Sequence, residues 1–121
     1  SFFSLDERLT LIKKVFEDDK DIEFITYEGL TIDLCAKVGA NFILRGLRTS
    51  ADFEYERAIA QMNRAMNTDI ETMFLLTQPE HTHINSTIVR DILLHGGDAS
   101  LFLPEKVRSL VESDFKNNIR N

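Results

Sequence analysis

Basic residues are in short supply in this sequence: 14 Lys and Arg stand against 20 Asp and Glu, a formal net charge of −6 over 121 residues. That balance excludes a broad electrostatic footprint for nucleic acid or an anionic membrane, so any bound anion must be met by a local cluster of cations. Cysteine is scarcer still. Cys35 has no partner for an internal disulfide, and with Leu34 and Val38 nearby it reads as a small core residue in a reducing compartment, not a catalytic thiol. No run approaches the roughly 18 consecutive apolar residues of a membrane span, and the amino terminus has neither the basic flank nor the apolar stretch of a secretory signal. A cytoplasmic protein is the expectation. Neither a Gly-rich dinucleotide fingerprint nor a GxxxxGK[ST] loop occurs, which counts against a dehydrogenase and a P-loop hydrolase. Internal repeats, low-complexity tracts and linkers are also lacking.

What is present is enough for one core. With 43% hydrophobic residues, the chain is expected to form a single domain over residues 1–121. Ser4 and Glu7 have capping-box spacing, and Leu5, Leu9, Ile12 and Phe16 recur at helical period, giving a helix to about Glu17. An acidic turn, Asp18 to Asp21, leads to Ile22–Tyr27, whose alternation and β-branching predict a strand. Gly29 breaks it, and Thr31 is expected to cap a short helix ending at Gly39. Asn41–Leu44 and Thr72–Leu76 are short apolar strands. Between them a helix from about Asp52 to Asn67 has an inner stripe of Tyr55, Ala58, Ile59, Met62, Ala65 and Met66. Ser86–His95 is a helix stopped by Gly96 and Gly97, and Pro104 opens a last helix with Val107, Leu110 and Val111 inward. Strands alternating with helices predict an α/β fold, a parallel sheet with helices on both faces.

In open α/β sheets, ligands bind beyond the carboxyl ends of the strands. After Leu44 comes Arg45-Gly46-Leu47-Arg48, where the glycine is expected to turn the chain tightly and two guanidiniums offer planar forks to phosphate oxygens. A plainer account has the two arginines pairing with Asp52, Glu54 or Glu56 as a solvated ion network. After Leu76, the loop Thr77 to Ile84 leads to Asn85-Ser86-Thr87 at a helix start, whose unpaired amides favour an anion. Here the plainer account is that Ser86 or Thr87 caps the helix. The fold logic brings both segments to one sheet edge, where they would grip one polyphosphate. Glu56 and Asn63, seven apart and off the apolar stripe, are placed to line the pocket that the arginines open. Met62 and Met66 read as core. His81 and His83 lack Cys partners, and their spacing in a loop is no recognised metal signature, so no protein-held metal is expected.

The stretch ILRGLRTSADFEYERAIAQMNR, with HTHINSTIVRD and FLPEKVR, closely resembles phosphopantetheine adenylyltransferase, a nucleotidyltransferase of coenzyme A synthesis, and the likeness covers the whole chain. The resemblance implies a Rossmann-like fold and an enzyme that joins the AMP portion of ATP to 4′-phosphopantetheine, giving dephospho-coenzyme A and pyrophosphate with Mg²⁺, usually as a homohexamer. It implies that Arg45 contacts the phosphate of phosphopantetheine, with Leu30, Thr31 and Asn63 beside it. Gly46, Leu47, Arg48 and Glu56, with His81, Thr82, His83, Ile84, Asn85, Ser86 and Thr87, resemble the ATP-binding positions. Arg48 would act as charge stabiliser. Gly29 and Thr31 stand where acidic and methionine residues are more typical, and Asn85 where a serine is common.

The family opens on a strand and a GTFDPxxxGH segment, neither of which is among these 121 residues, so the sequence is expected to lack the first strand-helix unit. Two other functions are compatible with the residues. One is a related adenylyltransferase acting on nicotinate mononucleotide. The other is a non-catalytic module that binds nucleotide or coenzyme A, should the protein begin at Ser1.

Overall fold

A computed structural model describes residues 2–120, and the side chains of residues 2–115. The chain divides into two compact units, one of residues 1–25 with 84–121 and the other of residues 26–83.

The first unit is helical. Helix α1, Leu5–Val15, starts at the expected capping box: the Ser4 hydroxyl accepts from the Glu7 amide at 3.1 Å, and the Ser4 amide donates to the Glu7 carboxylate at 2.9 Å. The largest described core of this unit gathers Leu93, Ala99, Val107 and Val111, with Leu11, Val15 and Val89 packed against it. Leu93 lies on α4, Ser86–Leu94, and Val111 on α5, Arg108–Arg120. Pro104 opens a single 3-10 turn, Glu105–Val107, ahead of α5, so proline's fixed φ starts the segment as predicted.

The second unit holds the sheet. Helix α2, Thr31–Val38, buries Ile32 and Cys35 against Ile70, so Cys35 is the core residue that its neighbours implied. Gly39 closes α2 at φ +74, a left-handed conformation in which a Cβ crowds the following carbonyl. Gly39→Ala is expected to destabilise the protein by about 1 kcal/mol, read as a lower midpoint in urea with unchanged slope. Two strands follow, β1, Phe42–Leu47, and β2, Glu71–Leu76, joined by α3, Ser50–Met66. They pair in parallel, with Arg45 opposite Phe74 and Leu47 opposite Leu76. The α/β class with a parallel sheet is therefore realised.

Four local expectations are revised. Residues 22–28 form no ladder, because a strand needs a hydrogen-bonded neighbour and none of the described residues supplies one. Thr31 does not cap α2. It is the first residue of the helix; Leu30 holds the cap position without a side-chain bond, and the Thr31 hydroxyl instead shares a 2.6 Å hydrogen bond with Tyr27. Strand β1 runs three residues further than Leu44, so Arg45 and Gly46 are rungs of the ladder and no turn occurs there. Finally, Tyr55, Met62 and Met66 are exposed, and the partly covered residues of α3 are Asp52, Glu56, Ala60 and Asn63. Apolar spacing names a possible inner face, but packing on a sheet rotated this helix so that a largely polar stripe faces the strands.

Side chains alternate along a strand, so Ile43 and Arg45 share a face with Thr72 and Phe74. Phe53 of α3 meets Phe74 edge to face at 6.0 Å, which identifies that face as the one α3 covers. Phe42, Leu44, Met73 and Leu75 stand on the opposite face and remain exposed, so among the described residues the covering expected on both faces is present on one. No helix among the described residues is long and apolar enough to cross a membrane.

Candidate functional site

Both strands end at the same edge: the Thr77 amide donates to the Leu47 carbonyl at 2.8 Å, immediately after the last paired residues. Arg48 follows β1 directly and is tied to the start of α3. Its amide donates to Asp52 Oδ2 at 3.2 Å, and its Nε lies 3.6 Å from the same oxygen. The Thr49 hydroxyl caps α3 by accepting from the Asp52 amide. A short turn thus fixes the backbone that carries Arg48, while the guanidinium remains partly exposed.

Arg45 projects from mid-strand toward α3 and forms a fork with Glu56: Nε donates to Oε2 at 3.0 Å and Nη2 to Oε1 at 2.6 Å. That pairing holds the Glu56 carboxyl below the ordinary glutamate range and raises Arg45, the side-chain hydrogen bond being the chief cause in both. The plainer account of the arginines, in which they pair with Asp52 and Glu56, is therefore realised. It leaves the pocket intact.

A cavity of about 210 Å³ opens beside this pair. Arg45, Glu56, Asn63, Tyr27, Thr31 and Thr72 give it polar walls, and Ile43, Ile59 and Ala60 complete it. Asn63 and Glu56 do lie together, as their spacing predicted. Among the expected acceptor-side residues, Arg45, Thr31 and Asn63 line this cavity and Leu30 does not. Tyr27 and Thr72 were missed from sequence. The alternation of Ile22–Tyr27 pointed to a strand, and nothing in that pattern signals that Tyr27's hydroxyl would be held by Thr31 at a pocket wall. Gly46 does not turn the chain; it lies in β1 without positive φ, and a Cβ there would meet nothing within 4 Å. Its effect is to leave the open face of the sheet bare beside Leu44.

In the other unit, α4 begins at Ser86, and its cap is Asn85, whose Oδ1 accepts from the Ile88 amide at 2.9 Å. Capping therefore falls to Asn85 and not to Ser86 or Thr87. Thr87 Oγ1 instead accepts from Arg90 at 3.4 Å. Asn85, Ser86 and Arg90 also border a larger groove of about 650 Å³ whose other walls are nearly all apolar, from residues such as Phe3, Leu11 and Val107. The smaller cavity is the better candidate for phosphate chemistry, since polar residues, an arginine among them, make up most of its lining, whereas the larger groove is nearly all apolar. His81 closes a 3-10 turn, Pro79–His81, and no group of three or more His, Cys, Asp or Glu is gathered for a metal among the described residues.

Comparison of the sequence with known proteins points to one lineage. The cytidylyltransferase-like family model matches residues 1–112. The phosphopantetheine adenylyltransferase of Flavobacterium psychrophilum is 56% identical over 106 residues, 88% of this chain and 70% of that protein. That of Flavobacterium johnsoniae is 54% identical over 88% of this chain and 69% of its own length. The enzyme of the same description in Prochlorococcus marinus subsp. pastoris is 40% identical over 96% of this chain and 73% of its own length. With identity at this level spread over nearly the whole span, the chain belongs to the cytidylyltransferase-like family, in the branch of the phosphopantetheine adenylyltransferases.

Proposed function

We propose that this protein transfers the adenylyl group of ATP to 4′-phosphopantetheine, yielding dephospho-coenzyme A and pyrophosphate in coenzyme A synthesis. The observation that carries the reading is the 56% identity to an adenylyltransferase of that description over 88% of the chain. The small cavity agrees with it in chemistry, since a phosphate monoester with a polar arm asks for one fork-shaped cation and several neutral hydrogen-bonding groups.

Arg45 is the acceptor's phosphate contact, with Thr31 and Asn63 on the cavity wall beside the arm and Leu30 meeting it through its backbone alone. Gly46, Leu47 and Arg48 form one nucleotide-binding segment. His81, Thr82, His83, Ile84, Asn85, Ser86 and Thr87 form another, in which amides at the start of α4 favour phosphate oxygens. An oxygen of the acceptor phosphate attacks the α-phosphorus of ATP, forming the new P–O bond as the bond to the β-phosphate oxygen breaks. Pyrophosphate departs with that electron pair. The step needs no protein nucleophile, so alignment and charge neutralisation carry it. Mg²⁺ bound with ATP would supply further neutralisation of phosphate charge. Dephospho-coenzyme A and coenzyme A are further ligands, and we place the enzyme in the cytoplasm as a homohexamer.

Presenting ATP with either 4′-phosphopantetheine or nicotinate mononucleotide and measuring pyrophosphate tests the reading. Release is expected with the first acceptor only. Release with the second would identify a related adenylyltransferase, and thermal stabilisation by ATP without any product would identify a non-catalytic binder.

A further inference from the structure

We infer that Glu56 is the positioning residue of the acceptor anchor, clamping one edge of the Arg45 guanidinium so that the opposite edge is presented to the acceptor phosphate. The inference rests on the reading of Arg45 as the acceptor's phosphate contact. A guanidinium has five N–H donors in a rigid plane. Glu56 takes the side edge, Nε and one hydrogen of Nη2, at 3.0 and 2.6 Å. One hydrogen of Nη1 and the second of Nη2 remain side by side along the end edge. That is the bidentate geometry which a phosphate requires.

Exposure separates the two partners. The Glu56 side chain is 13% exposed and that of Arg45 is 53% exposed, so the carboxylate is the covered, fixed member and the guanidinium the accessible one. Glu56 sits on α3, a rigid helix, and Arg45 on a paired strand; an ion pair between two fixed elements restrains the guanidinium's torsions before the ligand arrives. The resemblance groups Glu56 with the nucleotide contacts. Yet both of its oxygens face Arg45, and the cavity that it lines is the one shared with Thr31 and Asn63. Its geometry therefore puts its influence on the acceptor side.

Steady-state kinetics of the intact enzyme with Glu56→Gln, an isosteric change, tests this. The KM for 4′-phosphopantetheine should rise about tenfold while the KM for ATP stays within about twofold, and the same change on an Arg45→Gln background should add almost nothing, because Glu56 acts through Arg45. Glu56→Asp keeps the charge at shorter reach, so partial recovery is expected from it. A raised ATP KM with an unchanged acceptor KM would make Glu56 a nucleotide contact. A lowered acceptor KM would make it a competitor for Arg45, and additive effects in the double variant would make it merely structural; each of these overturns the inference. Failure of the wild-type enzyme to release pyrophosphate with this acceptor removes the functional reading and the inference together, whereas unchanged kinetics in Glu56→Gln remove the inference alone.

Discussion

Arg48→Ala is expected to lower kcat about 100-fold, the magnitude typical of removing one preorganised group that stabilises transition-state charge. Negative charge moves onto the departing pyrophosphate as the bond to the α-phosphorus breaks, and a guanidinium beside the ATP phosphates is favoured more by that state than by bound ATP. The loss should therefore fall chiefly on kcat, with a smaller change in the KM for ATP. Arg48 suits this task because its backbone is pinned by the 3.2 Å bond to Asp52 at the start of α3. Arg57 provides the control: it pairs with Glu54 across one helical turn on an exposed surface, and Arg57→Ala should leave turnover nearly unchanged. Ser86→Ala should also cost less than Arg48→Ala, since the amides at the start of α4 survive that substitution. Arg48→Ala kinetics indistinguishable from those of Arg57→Ala would dispose of the role.

Arg45→Ala should act on the other substrate. A charge-assisted fork to a phosphate is worth roughly 1.5–3 kcal/mol, so kcat/KM for 4′-phosphopantetheine is expected to fall about 100-fold, mostly through KM. Arg45→Lys restores charge without the fork and should recover only part of the loss. The same substitution alters the pH dependence of stability. Because Arg45 lowers the Glu56 pKa in the folded state, the pair stabilises the protein at pH above the ordinary glutamate range, and that contribution is lost as pH falls through the lowered value. Urea unfolding of Arg45→Ala should accordingly show a shallower loss of stability on acidification than the wild type does. An unchanged KM for the acceptor would remove Arg45 from its site.

The sequence carried the helices and the parallel sheet, because each leaves a local mark: a capping box at Ser4, a left-handed glycine at position 39, continuous apolar runs at the strands. What it did not carry was decided by partners distant in the chain. Residues 22–27 have strand chemistry, but a ladder is a property of two segments. The end of β1 is set by β2, whose residues through Leu76 draw Arg45, Gly46 and Leu47 into the sheet. The rotation of α3 likewise could not be read from Tyr55, Met62 and Met66, since the contact of Phe53 with Phe74 and the fork between Arg45 and Glu56 turn a polar stripe inward. Within the cavity, Glu56 and Asn63 were legible from their sevenfold spacing, whereas Tyr27 depends on a hydroxyl partner four residues on.

A phosphate anchor rooted in a strand differs in kind from one carried on a loop. Cross-strand pairing opposite Phe74 fixes the Cα of Arg45, so its guanidinium can be repositioned only through side-chain torsions. Were Arg45 to hold the acceptor phosphate, the attacking oxygen would start from a fixed origin, and any adjustment to a different arm would fall to the other walls of the cavity.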